Sequence, residues 1–215
     1  MTEPEFLTTA RAFYDAIAAD YADRYRDELA VKPLDRAMLA SFAELVQASG
    51  GGPVAELGCG PGRVTAHLDG LGLEISGIDL SPGMVALARR THPGLRFEVG
   101  SMLGLDLADG ALAGAVAWFS IIHTPQDRLP EVFAEFHRVL APGGHLLLAF
   151  QVGDEPLRVE RPFGHPVALD FRRQQPDHIT ALARTAGLEI TARLVREPVA
   201  GVEKTPQAYL LARKP

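Results

Sequence analysis

The chain has a single cysteine in 215 residues, Cys59, so no internal disulfide can form. It has no run of lysine and arginine, and its net charge is -6, which leaves no electrostatic footprint for nucleic acid. No apolar stretch approaches the roughly 20 residues that cross a bilayer. The opening Met-Thr-Glu-Pro-Glu-Phe lacks the positive start and apolar core of a secretory leader. Repeats and low-complexity tracts are absent. These absences predict a cytoplasmic protein that meets neither membrane nor nucleic acid, with no resident metal and with a homodimer left open. What remains is ordinary for a globular chain, 47% hydrophobic and 22% charged. The length fits one domain, residues 1–215, with a core large enough to dispense with metals and disulfides.

The first fifty residues read as helical. From Pro33, a favoured first-turn residue, Leu34, Met38, Phe42 and Leu45 recur at the period of one helix face. Gly50-Gly51-Gly52-Pro53 breaks that pattern. The rhythm then becomes strand, glycine turn, helix. Strands are expected at Val54–Leu57, Leu73–Ile78, Leu95–Val99 and Leu112–Phe119, the last small and apolar like a sheet buried on both faces. After an amphipathic helix over Leu129–Leu140 and a turn at Ala141–Gly144, His145–Phe150 is a fifth strand. Strands alternating with helices predict an α/β fold with a mostly parallel, doubly wound sheet. The end differs: a helix over His178–Ala186 precedes strands at Leu188–Val195 and Ala208–Ala212, spaced for an antiparallel hairpin at the sheet edge. That makes seven strands. Residues 151–176 show no period, and a loop of that length in a compact domain usually has a task.

Chemistry enters at Glu56-Leu57-Gly58-Cys59-Gly60-Pro61-Gly62, between the first strand and its helix. Glycines let backbone approach a ligand, and the helix N-terminus adds free N–H groups and positive polarity. The spacing is G-x-G-x-G. A dinucleotide fingerprint needs a small residue where Arg63 stands, and an arginine there is expected to obstruct the pyrophosphate, against NAD(P) and an oxidoreductase. No Walker lysine is present, against a P-loop. Asp79 ends the second strand about 20 residues on, where a carboxylate can accept from both hydroxyls of a ribose.

With ELGCGPGR followed by GIDLSPGMVALAR, the chain resembles the class I S-adenosylmethionine-dependent methyltransferases of small-molecule type. The resemblance covers Val54 to Phe150, and AGLEI and YLLAR look like the family's last helix and strands. It implies a Rossmann-like sheet and S-adenosylmethionine as cofactor. Gly58 and Gly60 would contact the methionine part through backbone, and Glu56 would hold its ammonium through water. Asp79 would hold the ribose, with Leu80 and Met84 flanking the adenine. Ser101 stands where members often carry an Asp that accepts from the adenine amino group; the Met102 backbone would serve the same ring. Ser120, after the fourth strand, would meet the methionine part. Tyr14 and Tyr21 fall in a segment similar to the family's N-terminal lid, here residues 1–50, and residues 151–176 would cover the substrate.

A methyl acceptor needs a base only if its nucleophile arrives protonated. His123, just past the fourth strand, is the first candidate and His165 the next. The N-P-P-Y of adenine and glutamine methylating members is replaced by Ser120-Ile121-Ile122-His123, and Cys59 is not placed as a cytosine enzyme's nucleophile. The expected substrate is a small metabolite with an O, N, S or C nucleophile. A cofactor-binding regulator without turnover is the remaining alternative.

Overall fold

The computed structural model describes residues 3–215. Helix α1 (Glu5–Tyr25) is followed by a short 3-10 turn, Glu28–Val31, and by α2 (Pro33–Ala48). The alternating part runs β1 (Val54–Leu57), α3 (Arg63–Gly70), β2 (Ile75–Asp79), α4 (Pro82–Thr91), β3 (Arg96–Val99), β4 (Leu112–Trp118), α5 (Leu129–Val139) and β5 (Leu140–Gln151). Two short strands follow, β6 (Leu157–Glu160) and β7 (Ala168–Phe171). The chain ends with α6 (Pro176–Thr185), β8 (Glu189–Arg196) and β9 (Gln207–Arg213). Helix starts follow local chemistry. Pro33, Pro82 and Pro176 stand in first turns. Ser81 caps α4, its Oγ accepting from the Met84 N–H at 3.0 Å.

The main sheet has seven strands in the order β3-β2-β1-β4-β5-β9-β8. The first five are parallel, and β9 enters antiparallel between β5 and β8, so the terminal hairpin lies at the expected edge. Strand order reverses between β1 and β4. In sheets of this kind the crevice beyond the strand ends at such a point is where ligands bind.

Alternation along the central strands sends side chains to two cores. Ala115, Ala117, Leu146, Leu148 and Phe150 pack against α5 and α6 through Phe133, Phe136 and Ile179. Val116, Trp118, Leu147 and Tyr209 pack against α2 and α3 through Phe42, Val46 and Leu68. Both faces are covered, which is why β4 reads as a continuous apolar run. Among the described residues no helix is long and apolar enough to cross a membrane.

Two expectations are corrected. Residues 151–176 are not a plain loop, because β6 and β7 pair antiparallel, Leu157 opposite Phe171 and Glu160 opposite Ala168. Leu169 of this ribbon packs with Ala10, Phe13 and Ile17 of α1, so its apolar face is buried by the N-terminal helix rather than by the main sheet. The turn expected at Ala141–Gly144 is instead the bulged start of β5. Leu140 pairs with Leu112, and the register then jumps so that His145 pairs with Gly114.

Candidate active site

A cavity of about 110 Å³ opens at the point where strand order reverses. Its floor is the glycine loop. The Gly58 and Cys59 N–H groups donate to the Ile78 carbonyl at 2.7 and 3.1 Å, fastening the loop to the end of β2. Asp79 holds it from the other side: Oδ2 accepts from the Gly60 N–H at 2.7 Å and Oδ1 from the Ser81 N–H at 2.8 Å. Burial raises the Asp79 carboxyl above its usual range, opposed by these same N–H bonds. A carboxylate has about four acceptor sites, so each oxygen keeps one for a ligand.

Gly58, Gly60, Asp79, Leu80, Met84, Ser101, Met102, Ser120 and His123 all line this cavity, as do Tyr14 and Tyr21 from α1. The serines are partly occupied. Ser120 Oγ donates to the Leu57 carbonyl at 2.6 Å, joining the ends of β1 and β4. Ser101 Oγ accepts from the Leu103 N–H at 3.2 Å. Both keep acceptor capacity toward the cavity.

Glu56 is the expected residue that the cavity leaves out. It is buried within β1 and accepts from the Thr65 hydroxyl of α3. Burial pushes its carboxyl up to about 8, with the Thr65 bond pulling the other way. Between about pH 4.5 and 8 the folded protein therefore carries a proton on Glu56 that the unfolded chain has lost. Stability contributed by this site falls as pH rises through that window. Glu56→Gln keeps an acceptor for Thr65 and removes the titration. It should flatten the slope and raise stability at pH 8 by about 1 kcal/mol or more. Urea unfolding at pH 6 and 8 reads this directly; parallel slopes in the two proteins would contradict it.

Helix α1 is fastened to the start of α4. Asp15 Oδ1 accepts from the Ser81 hydroxyl at 2.5 Å and from the Gly83 N–H at 2.8 Å. Phe6, Leu7 and Ala10 of α1 roof the cavity beside Tyr14. Tyr14 Oη lies 2.7 Å from His123 Nε2. Burial, with Arg172 adding repulsion, lowers His123 to about 4, so its imidazole is neutral at neutral pH. His165 is elsewhere, exposed to solvent in part and 2.9 Å from Asp20. Arg63 does not stand over the loop as expected. Its guanidinium turns to Glu28 and donates to the Tyr25 carbonyl at 2.8 Å. Its obstruction of a dinucleotide is therefore not seen in the geometry.

Several lining residues carry no sequence signal. Trp118 and Phe119 close the end of β4, and with Tyr14 and Tyr21 they border a second cavity as well. Phe119 has φ 53, an unusual backbone state for a non-glycine residue and one that collects at functional sites. An aromatic pair after an apolar strand reads as core until the reversal of strand order is known.

The sequence pattern of the methyltransferase-domain family matches residues 54–144, from the first residue of β1 to the start of β5. Over those residues the chain is similar to the S-adenosylmethionine-dependent methyltransferases. It is 29% identical over 132 residues to a malonyl-[acyl-carrier protein] O-methyltransferase of Pectobacterium atrosepticum, covering 61% of this chain and 49% of that one. The chain spans about half the length, or less, of the curated relatives it matches first. Among solved structures, magnesium protoporphyrin IX methyltransferase from Synechocystis PCC 6803 with bound S-adenosylmethionine superposes with TM-score 0.71 at 16% identity, over 100% of each chain. The [4+2]-cyclase SpnF superposes with TM-score 0.72 at 19% identity, over 100% of this chain and 98% of its own. These two establish fold only. A methyltransferase-like fold that bears the name of a cyclase leaves the reaction to be argued from the site.

Proposed function

We propose that this protein transfers a methyl group from S-adenosylmethionine to a small-molecule acceptor. The observation that carries the reading is the Gly60–Asp79 clamp at the point of strand reversal, roofed by two tyrosines that also border a second cavity. The cradle fits the cofactor in a specific way. A side-chain carbon at Gly60 would meet no atom within 4 Å, so the loop leaves room for a ligand beside Gly60, which lines the cavity.

In this reading the free acceptor sites of Asp79 take the ribose hydroxyls. Leu80, Met84 and Met102 flank the adenine, and Ser101 accepts from its amino group. The backbone of Gly58 and Gly60, with Ser120, holds the methionine part. The sulfonium supplies an activated methyl group, so the protein's task is alignment and exclusion of water. Tyr14 and Tyr21 keep water out from above. His123 is a weak proton acceptor: with its imidazole at about 4, roughly one molecule in a thousand is protonated at pH 7. A nucleophile that arrives as an anion, or that gives its proton to water, suits this site better than one that needs a strong base. Residues 1–215 act as one catalytic unit in the cytoplasm, with residues 1–50 as lid and 151–176 covering the substrate.

Calorimetry with S-adenosylmethionine, its demethylated product and NADH tests the cofactor assignment. Binding of the first two without NADH is expected, and the reverse pattern would sink it. A gain of one methyl mass on a member of a metabolite panel tests turnover.

A further inference from the structure

The second cavity has a volume of about 360 Å³ and lies on the far side of Tyr14, Tyr21, Trp118 and Phe119. Its walls are apolar: Phe13 and Ile17 from α1, Val159 and Phe171 from the β6–β7 ribbon. Other parts of its lining are polar: Glu28, Lys32, Arg63 and Glu203, with Gln151 and Gln207 where β5 ends and β9 begins and Arg173 between β7 and α6.

The charges around it do not balance. Lys32 pairs with Glu28 at 2.6 Å and with Glu203 at 2.8 Å. Arg63 pairs with Glu28, and Arg196 pairs with Glu203 at 2.5 Å and Asp35 at 3.2 Å. Three carboxylates thus meet three cations, and this network is neutral. Arg173 stands apart from it. Among the described residues it makes no ion pair, and its Nε is fully buried without a hydrogen-bond partner. In a chain of net charge -6, a half-buried guanidinium with no carboxylate partner beside a cavity is free to pair with an anionic ligand.

Arg173 is also held in place. Its neighbours on both sides are pinned through backbone, the Arg172 N–H to the Ile122 carbonyl at 2.8 Å and the Gln174 N–H to the Gln151 carbonyl at 2.9 Å. Its stem lies over Gly153, where an added side-chain carbon would come within 2.8 Å of Arg173 Cδ. Contrast Arg158, which is exposed and paired with Asp170 and Glu160.

We propose that the second cavity takes an organic acid, its apolar body against Phe13, Ile17, Val159 and Phe171 and its carboxylate on Arg173. Exposed Lys204, at the rim, adds attraction for the same charge. A planar guanidinium matches a carboxylate through paired N–H bonds. This assignment rests on the methyl-transfer reading for the cavity's role as acceptor site, and the neighbouring aromatic boundary is where the acceptor atom would meet the methyl group.

The test is calorimetry on protein loaded with S-adenosylhomocysteine, and on cofactor-free protein, using 2-naphthoate, decanoate and the primary amides of both. In the wild type at least one acid should bind about tenfold or more tightly than its amide. Arg173→Gln should bring that ratio to about one, and Arg173→Lys should keep part of it. S-adenosylhomocysteine affinity should be unchanged in both variants, because Arg173 does not line the first cavity. Acids and amides that bind the wild type alike, or a preference that survives Arg173→Gln, would overturn the proposal. If S-adenosylhomocysteine fails to bind, the methyl-donor reading falls, while the acid-to-amide ratio on cofactor-free protein still decides this one.

Discussion

Asp79→Ala is expected to weaken S-adenosylmethionine binding by about a hundredfold. The reason is the double duty of one carboxylate. Each of its oxygens already accepts one backbone N–H, from Gly60 and from Ser81. On the proposed reading each also accepts one ribose hydroxyl. A hydrogen bond to a charged group contributes roughly 1.5–3 kcal/mol, and a hundredfold is about 2.7 kcal/mol. Losing both ribose bonds therefore reaches that figure before any loosening of the loop is counted. The loop does loosen, since two N–H groups lose their acceptor. Asp79→Asn separates the two contributions. Its amide nitrogen must face either Gly60 or Ser81, donor against donor, while the remaining oxygen still serves one hydroxyl. Calorimetry for affinity and thermal unfolding for stability should be read together. Unchanged affinity with lowered stability would make Asp79 a loop clamp and nothing more.

The parts of this fold legible in the sequence are those with local causes. Gly50-Gly51-Gly52-Pro53 ends α2 where expected, Ser81-Pro82 opens α4, and the apolar β4 lies in the centre of the sheet. The glycine loop and Asp79 were legible for the same reason, because strand ends and tight turns constrain residue type at fixed spacing. The β6–β7 ribbon was not. Its strands are four residues each, half-exposed, and stabilised by α1, more than a hundred residues away in sequence. Periodicity cannot register a partner that distant. The site divides along the same line. Trp118, Phe119, Phe13 and Phe171 line cavities, yet an aromatic residue in an apolar setting reads as core. Glu56 faces α3 rather than the cavity, a direction set by which side of β1 the strand alternation presents. Arg173 sits among several arginines in 151–176, and only the accounting of ion partners distinguishes it from Arg158.

The glycine loop carries the other large prediction, and it pairs two positions that the motif treats alike. Gly58 has φ +79, and a side-chain carbon there would stand 2.3 Å from Ser120 Cβ and 3.0 Å from its Oγ. Ordinary carbon contacts begin near 3.5 Å. Gly58→Ala must therefore push β1 and β4 apart at their ends or break the Ser120–Leu57 bond. Added to the backbone strain, this should cost about 3 kcal/mol of folding stability and remove cofactor binding with it. Gly60 has φ +54, and the same added carbon would meet nothing within 4 Å. Gly60→Ala should cost the fold only the strain, about 1 kcal/mol. Its methyl group would enter the space assigned to the methionine part, so affinity for S-adenosylmethionine should still fall by about tenfold or more. Denaturant unfolding and calorimetry on the two variants therefore give opposite patterns: one lesion in the protein that binding inherits, one in the binding alone. If Gly60→Ala bound the cofactor as the wild type does, the open space above the loop would not be its cradle. The two glycines are required for different reasons, Gly58 by the neighbouring strand and Gly60 by the ligand, and only the second reason is evidence of function.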